Sequence, residues 1–98
     1  MFGKYACRLV FSKYMNNDRT AIILEDLSDL SIVATATVNI PEYNLDPDEV
    51  IIKDYSENEG MLECLMLNIV VSKPLRWVKT GFVKCPVCKL LIEPKYED

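Results

Sequence analysis

Ser31-Ile32-Val33-Ala34-Thr35-Ala36-Thr37-Val38-Asn39-Ile40 is rich in β-branched residues, and Pro41 follows it directly. Valine, isoleucine and threonine lose side-chain freedom in a helix and pack well on a pleated surface. Proline has no amide hydrogen to give to a ladder. The run therefore predicts a strand that ends at Pro41, in a chain built mainly of sheet. Alternation places Ile32, Ala34, Ala36, Val38 and Ile40 toward the core.

The same reading extends in both directions. Residues 5–11 read as a strand, with Tyr5, Cys7, Leu9 and Phe11 on one side and Ala6, Arg8 and Val10 on the other. Met15-Asn16-Asn17-Asp18 is a turn, because Asn and Asp tolerate left-handed backbone and bond to their own chain. Residues 20–24 form the second strand of a hairpin, and residues 25–30 make a further polar turn. Residues 42–49 read as a surface loop, and residues 50–53 as a short strand. Toward the C-terminus, residues 75–79 and 82–84 are extended, Gly81 permits a bend, and Pro86 interrupts the ladder or marks its edge.

One segment has helical character. Met61, Leu62, Leu65, Met66 and Ile69 form an apolar stripe, which predicts a helix over residues 57–68. Ser56 and Glu59 have capping-box spacing, and Gly60 in the first turn is a weak point. The expected fold is α+β: a mostly antiparallel β-sheet with one α-helix packed on a face. The 98 residues fit a single domain, with an ordered core over residues 5–92 and a mobile tail over residues 93–98.

Charge is unevenly distributed. Residues 1–24 carry +3, residues 25–63 carry −10, and residues 64–98 carry +3. Such ends can neutralise the middle, or the middle can present a negative face to a basic partner. The net charge of −4 and the lack of a basic run argue against direct nucleic-acid binding. No apolar run reaches the length of a membrane span, and the first residues lack a secretory h-region.

The chain has no histidine, which excludes imidazole chemistry, and its three scattered glycines make no phosphate loop. No catalytic constellation is evident, and a non-enzymatic role is expected, with no cofactor. Cys85-Pro86-Val87-Cys88 is a C-x-x-C between two lysines. Its thiolates suit zinc, but a four-ligand site would need Cys7 and Cys64 or carboxylates besides. Redox chemistry would need a following helix. The simplest alternative is four reduced cysteines acting as small hydrophobes in a cytosolic protein. Trp77 is expected in the core, and Tyr43 exposed among acids.

Thr35-Ala36-Thr37-Val38-Asn39-Ile40-Pro41, then Val50-Ile51-Ile52-Lys53-Asp54-Tyr55-Ser56-Glu57-Asn58-Glu59-Gly60-Met61-Leu62-Glu63, and again Thr80-Gly81-Phe82-Val83 with Pro86-Val87-Cys88-Lys89-Leu90, carry a resemblance. Over residues 5–90 the chain resembles a family of uncharacterised small acidic proteins carried by bacteriophages, plasmids and other mobile elements. The family pattern has a cysteine at Cys88 and does not require Cys85. Residues 65–71 depart from the more polar, glycine-containing helix end of that pattern. The resemblance implies an accessory protein of a bacterial cytoplasm. By analogy it would antagonise a host defence system with a basic nucleic-acid channel, such as a CRISPR effector or a restriction enzyme.

The expected partner surface is therefore acidic, formed by Glu42, Tyr43, Asp46, Asp48, Glu49, Asp54, Tyr55, Glu57 and Glu59. A structural or self-associating role, including a homodimer through a sheet edge or the apolar helix end, is the alternative. A small zinc protein using Cys85 and Cys88 is the third reading.

Overall fold

A computed structural model describes Phe2 and residues 6–96. Strands β1 (Cys7–Lys13), β2 (Thr20–Asp26) and β3 (Ile32–Thr35) form one antiparallel sheet in the order β1-β2-β3. Strands β4 (Glu49–Ile51), β5 (Arg76–Thr80) and β6 (Val83–Lys89) form a second, in the order β4-β6-β5. Between β4 and β5 lie a 3-10 turn at Ser56–Asn58 and one helix, α1 (Met61–Leu67). The fold is a small α+β arrangement that is mostly sheet.

The two sheets meet where the β-branched run ends. The amide of Ala36 donates to Ile22 of β2 (2.7 Å), while its carbonyl accepts from Lys53 (2.8 Å). Val38 then donates to Ile51 (3.0 Å), and Thr37 bridges Ile52. The run is thus a strand only through Thr35, after which it leaves β2 for the extension of β4. Ala34, Ala36 and Ile40 are buried as expected, but Ile32 is exposed at the start of β3.

Strand β4 is paired along both edges, and Pro86 limits the pairing on the β6 side. Leu90 donates to Asp48 (2.7 Å) and Ile52 donates to Pro86 (2.9 Å), so the even-numbered residues of β6 turn their backbone toward β4. Opposite Ile52, proline returns no amide hydrogen. Pairing with β6 ends there, while the opposite edge of β4 meets residues 36–38 through the Ile51 carbonyl and the Lys53 amide. Pro86 interrupts the ladder, as expected, but from within the central strand of its sheet rather than at an edge.

Because β4 and β6 are covered on both sides, they feed two cores. The larger contains Phe11, Ile22, Leu24, Val50, Ile52, Met61, Leu65 and Cys88. The smaller contains Ile40, Ile51, Val78, Cys85 and Val87. Helix α1 closes the larger core with Met61 and Leu65. Full burial of one such side chain contributes about 2 kcal/mol.

The helix is shorter than its apolar stripe suggests. Ser56 caps nothing with its side chain; its carbonyl accepts from Glu59 (3.2 Å) in the 3-10 turn. Gly60, at φ 93°, is the N-cap of α1, a conformation glycine adopts without strain. Asp54 supplies the missing acceptor, taking the Leu62 amide (3.0 Å). Asn58, buried, donates to the Thr35 carbonyl (2.7 Å) and ties this turn to β3.

At its other end α1 closes in a Schellman motif. Val70 donates to Leu65 (2.9 Å) and Ile69 to Met66 (3.0 Å). The left-handed position of that motif is Ile69, at φ 57°, 68% exposed. The expected stripe therefore breaks here, with Met66 and Ile69 outside the core. The C-terminal segment is held as well: Tyr96 bridges Phe11, its hydroxyl lies 2.6 Å from that of Thr20, and Lys13 sits over its ring. Tyr5, Glu97 and Asp98 lie outside the described residues.

A β-branched residue in left-handed backbone costs about 1–2 kcal/mol, against roughly 0.5–1 kcal/mol for the extra chain entropy of glycine. Ile69→Gly should therefore stabilise the protein by roughly 0.5–1 kcal/mol, raising the thermal midpoint by several degrees. An unchanged or lower midpoint in thermal unfolding would contradict this account of the helix end.

Candidate functional site

The acidic loop before β4 is built around arginines from elsewhere in the chain. Arg76, at the start of β5, grips Glu49 through both guanidinium nitrogens (2.9 and 2.7 Å). Its Nε donates to the Tyr43 hydroxyl (2.8 Å). Arg19, at the start of β2, donates to the carbonyls of Ile40 (2.8 Å) and Tyr43. Oε1 of Glu49, which accepts from Arg76, also accepts the Asp46 amide (2.9 Å), and Glu49 donates its own amide to the Asp46 carbonyl (3.0 Å). Lys89 lies 3.4 Å from Asp48. The loop is fixed from beneath by two guanidinium groups.

Glu49 is consequently a structural residue, only 7% exposed. The hydrogen bonds from Arg76 hold its carboxyl down at about 2, against burial, which raises it; the Asp46 amide and the charges of Arg76 and Lys89 help. Tyr43, expected to stand exposed, is half-buried over the smaller core and bonded to Arg76. Among the residues singled out in this loop, Glu42, Asp46 and Asp48 are the ones whose side chains face solvent.

Asp54, Tyr55, Glu57 and Glu59 lie past the other end of β4. The extended chain puts about 13 Å between Glu49 and Lys53, so the nine residues fall into two groups. In the second group Asp54 caps α1, and Tyr55 packs on the smaller core. Glu57 pairs with Lys53 (2.5 Å), whose hydrogen bond lowers its pKa. Glu59 is exposed. Among the described residues, Glu42, Asp46 and Glu59 make no ion pair.

The two cysteines of the C-x-x-C lie on opposite faces of β6. Cys85 belongs to the smaller core and Cys88 to the larger. An odd spacing along a strand requires this, so the thiols do not converge as metal ligands. Burial raises both thiol pKa values. Cys88 is pushed up to about 11, with the Asp54 charge adding to the effect. Among the described residues, no three His, Cys, Asp or Glu side chains are grouped to hold a metal.

Sequence reasoning passed over Arg19, Arg76 and Asn58, the residues that organise both acidic groups. The one available signal was the opposite charge of the chain's ends and middle. Trp77 was expected inside and is instead 54% exposed on β5. No helix among the described residues is long and apolar enough to cross a membrane. Comparison with models of protein families, with curated proteins and with solved structures found no match.

The Glu49 carboxyl titrates lower folded than unfolded, so its stabilising contribution is present above its ordinary value of 4.5 and lost as pH falls toward about 2. Glu49→Gln should lower stability by about 2 kcal/mol at neutral pH, since it removes the charge of a buried carboxylate from a bidentate pair. The gap in thermal midpoint between the two proteins should narrow as pH drops through that window. A pH-independent gap would mean that the ion pair does not hold the loop.

Proposed function

We propose that the chain is a non-enzymatic binding module whose contact surface is the acidic loop before β4. The observation that supports this most is the clamp itself. Arg19 and Arg76 immobilise residues 40–49 from the protein side, while Glu42, Asp46 and Asp48 remain exposed on the other. A loop ordered before binding loses little entropy on association. Exposed carboxylates on a rigid frame suit a protein partner with a basic surface.

The resemblance over residues 5–90 supports reading this module as an accessory protein of bacteriophages, plasmids and other mobile elements, acting in the bacterial cytoplasm. A host defence protein with a basic nucleic-acid channel, a CRISPR effector or a restriction enzyme, fits the required chemistry. The contact set is narrower than composition suggests: Glu49, Asp54 and Glu57 are occupied within the fold.

Capture of host proteins by the wild-type chain, and by Glu42→Lys/Asp46→Lys, tests this reading. Both changes lie outside the ion pairs, so the variant should fold normally. The specific partner should be retained by the wild type, released by rising salt, and lost from the variant. Retention by the variant at every salt concentration would remove the acidic loop from the interface.

A second reading, self-association, is favoured by the helix end. Leu67 and Ile69 are exposed there, and Leu91, also exposed, donates to the Val70 carbonyl (2.9 Å) beside them. An exposed apolar residue held in strained backbone suits a contact surface. Sedimentation over a range of concentrations should then show a monomer–dimer equilibrium that Ile69→Gly weakens; a concentration-independent monomer would discard this reading.

A further inference from the structure

We propose that the outer edge of β5 binds an acidic, extended protein segment as an added strand. The register sets up the edge. The even-numbered residues of β6 turn their backbone toward β4, so its odd-numbered residues face β5, where Arg76 stands opposite Val87 and Val78 opposite Cys85. Trp77 and Lys79 therefore direct their amides and carbonyls outward. No strand among the described residues pairs with that side of β5. The unmatched backbone groups are the ones a further strand would satisfy.

The side chains specify charge. Lys79 is directly opposite Lys84, in the close type of antiparallel pair, where like charges repel. Neither lysine pairs with a described carboxylate, and residues 64–92 contain no acid at all. On the same face Trp77 is half exposed, and Phe82 stands fully exposed at the hairpin tip. Lysine on an edge discourages neutral and basic strands from pairing. An incoming strand with a carboxylate opposite Lys79 offsets its repulsion with Lys84 one strand further in, and covers the indole.

The same features argue against other occupants. Two β5 edges docked together would bring the lysines of both copies into one place. A nucleic acid would leave the open amides unused, and its phosphates beyond the two lysines would meet a chain of net charge −4.

Trp77 is the only tryptophan, so its emission reads the site directly. Titration with a blocked heptapeptide alternating glutamate and valine should give a saturable blue shift. Lys79→Glu/Lys84→Glu, both changes at exposed positions, should weaken that binding roughly tenfold or more while the circular dichroism stays unchanged. A peptide N-methylated on its bonding amides should give no shift. Glu42→Lys/Asp46→Lys should bind the peptide as the wild type does, which separates this edge from the acidic loop. The proposal is overturned by no saturable shift, by equal binding of the N-methylated peptide, or by an undiminished affinity in the lysine variant. Oligothymidylate that binds more tightly than the peptide would also overturn it, as would concentration-dependent self-association that the lysine variant abolishes.

Discussion

Strand β4 is hydrogen-bonded along both edges, to β6 on one side and to residues 36–38 on the other, and the architecture turns on that double pairing. Pro86 has no hydrogen to return to Ile52, so the pairing with β6 ends there. On the other edge the Ile51 carbonyl accepts from Val38 and the Lys53 amide donates to Ala36. The two three-stranded sheets are thereby joined through backbone hydrogen bonds. Val50 and Ile52 then fill one core while Ile51 fills the other. A proline inside a central strand is tolerable here because its nitrogen faces the side where pairing ends, so the ladder with β5 loses nothing.

The second organising force is charge compensation over long sequence separations. Arg8 pairs with Glu25, Arg76 with Glu49 and Lys89 with Asp48. Each pair joins an acid of the negative middle to a base from a positive end. The Arg76–Glu49 contact is the strongest of these, being bidentate and largely removed from water on the carboxylate side. It also fixes Tyr43, and with it the loop that carries Glu42 and Asp46. The negative segment is thus partly spent on holding the fold, and what remains outside is small and rigid.

This division leaves two exposed surfaces of opposite character. One is the acidic loop, preorganised by arginines. The other is the β5 edge, where Lys79 beside Lys84 of β6, neither ion-paired among the described residues, joins Trp77 and open backbone groups. On the proposed reading as a binding module, the two surfaces would select partners of opposite charge. The exposed apolar end of α1 adds a third feature, set off by the strained backbone of Ile69.

Much of the fold was legible in residue pattern. The β-branched run, the Asn-rich turn and the apolar spacing of Met61 and Leu65 determine strands, a hairpin and a helix by local physics, and their sum is an α+β chain rich in sheet. The alternation of β6 even dictates that Cys85 and Cys88 diverge, once that segment is known to be extended. What pattern could not supply was partnership. Ser56 and Glu59 have the spacing of a capping box, yet Asp54 and Gly60 cap the helix, because the 3-10 turn consumes the Glu59 amide. Glu49 reads as one acid among many, but a guanidinium 27 residues away makes it structural. Trp77 reads as core and lies on an edge, because β5 comes last in its sheet. Local composition determines which conformations are cheap; only the tertiary arrangement decides which charges meet and which faces stay open, since those depend on contacts between residues far apart in the chain.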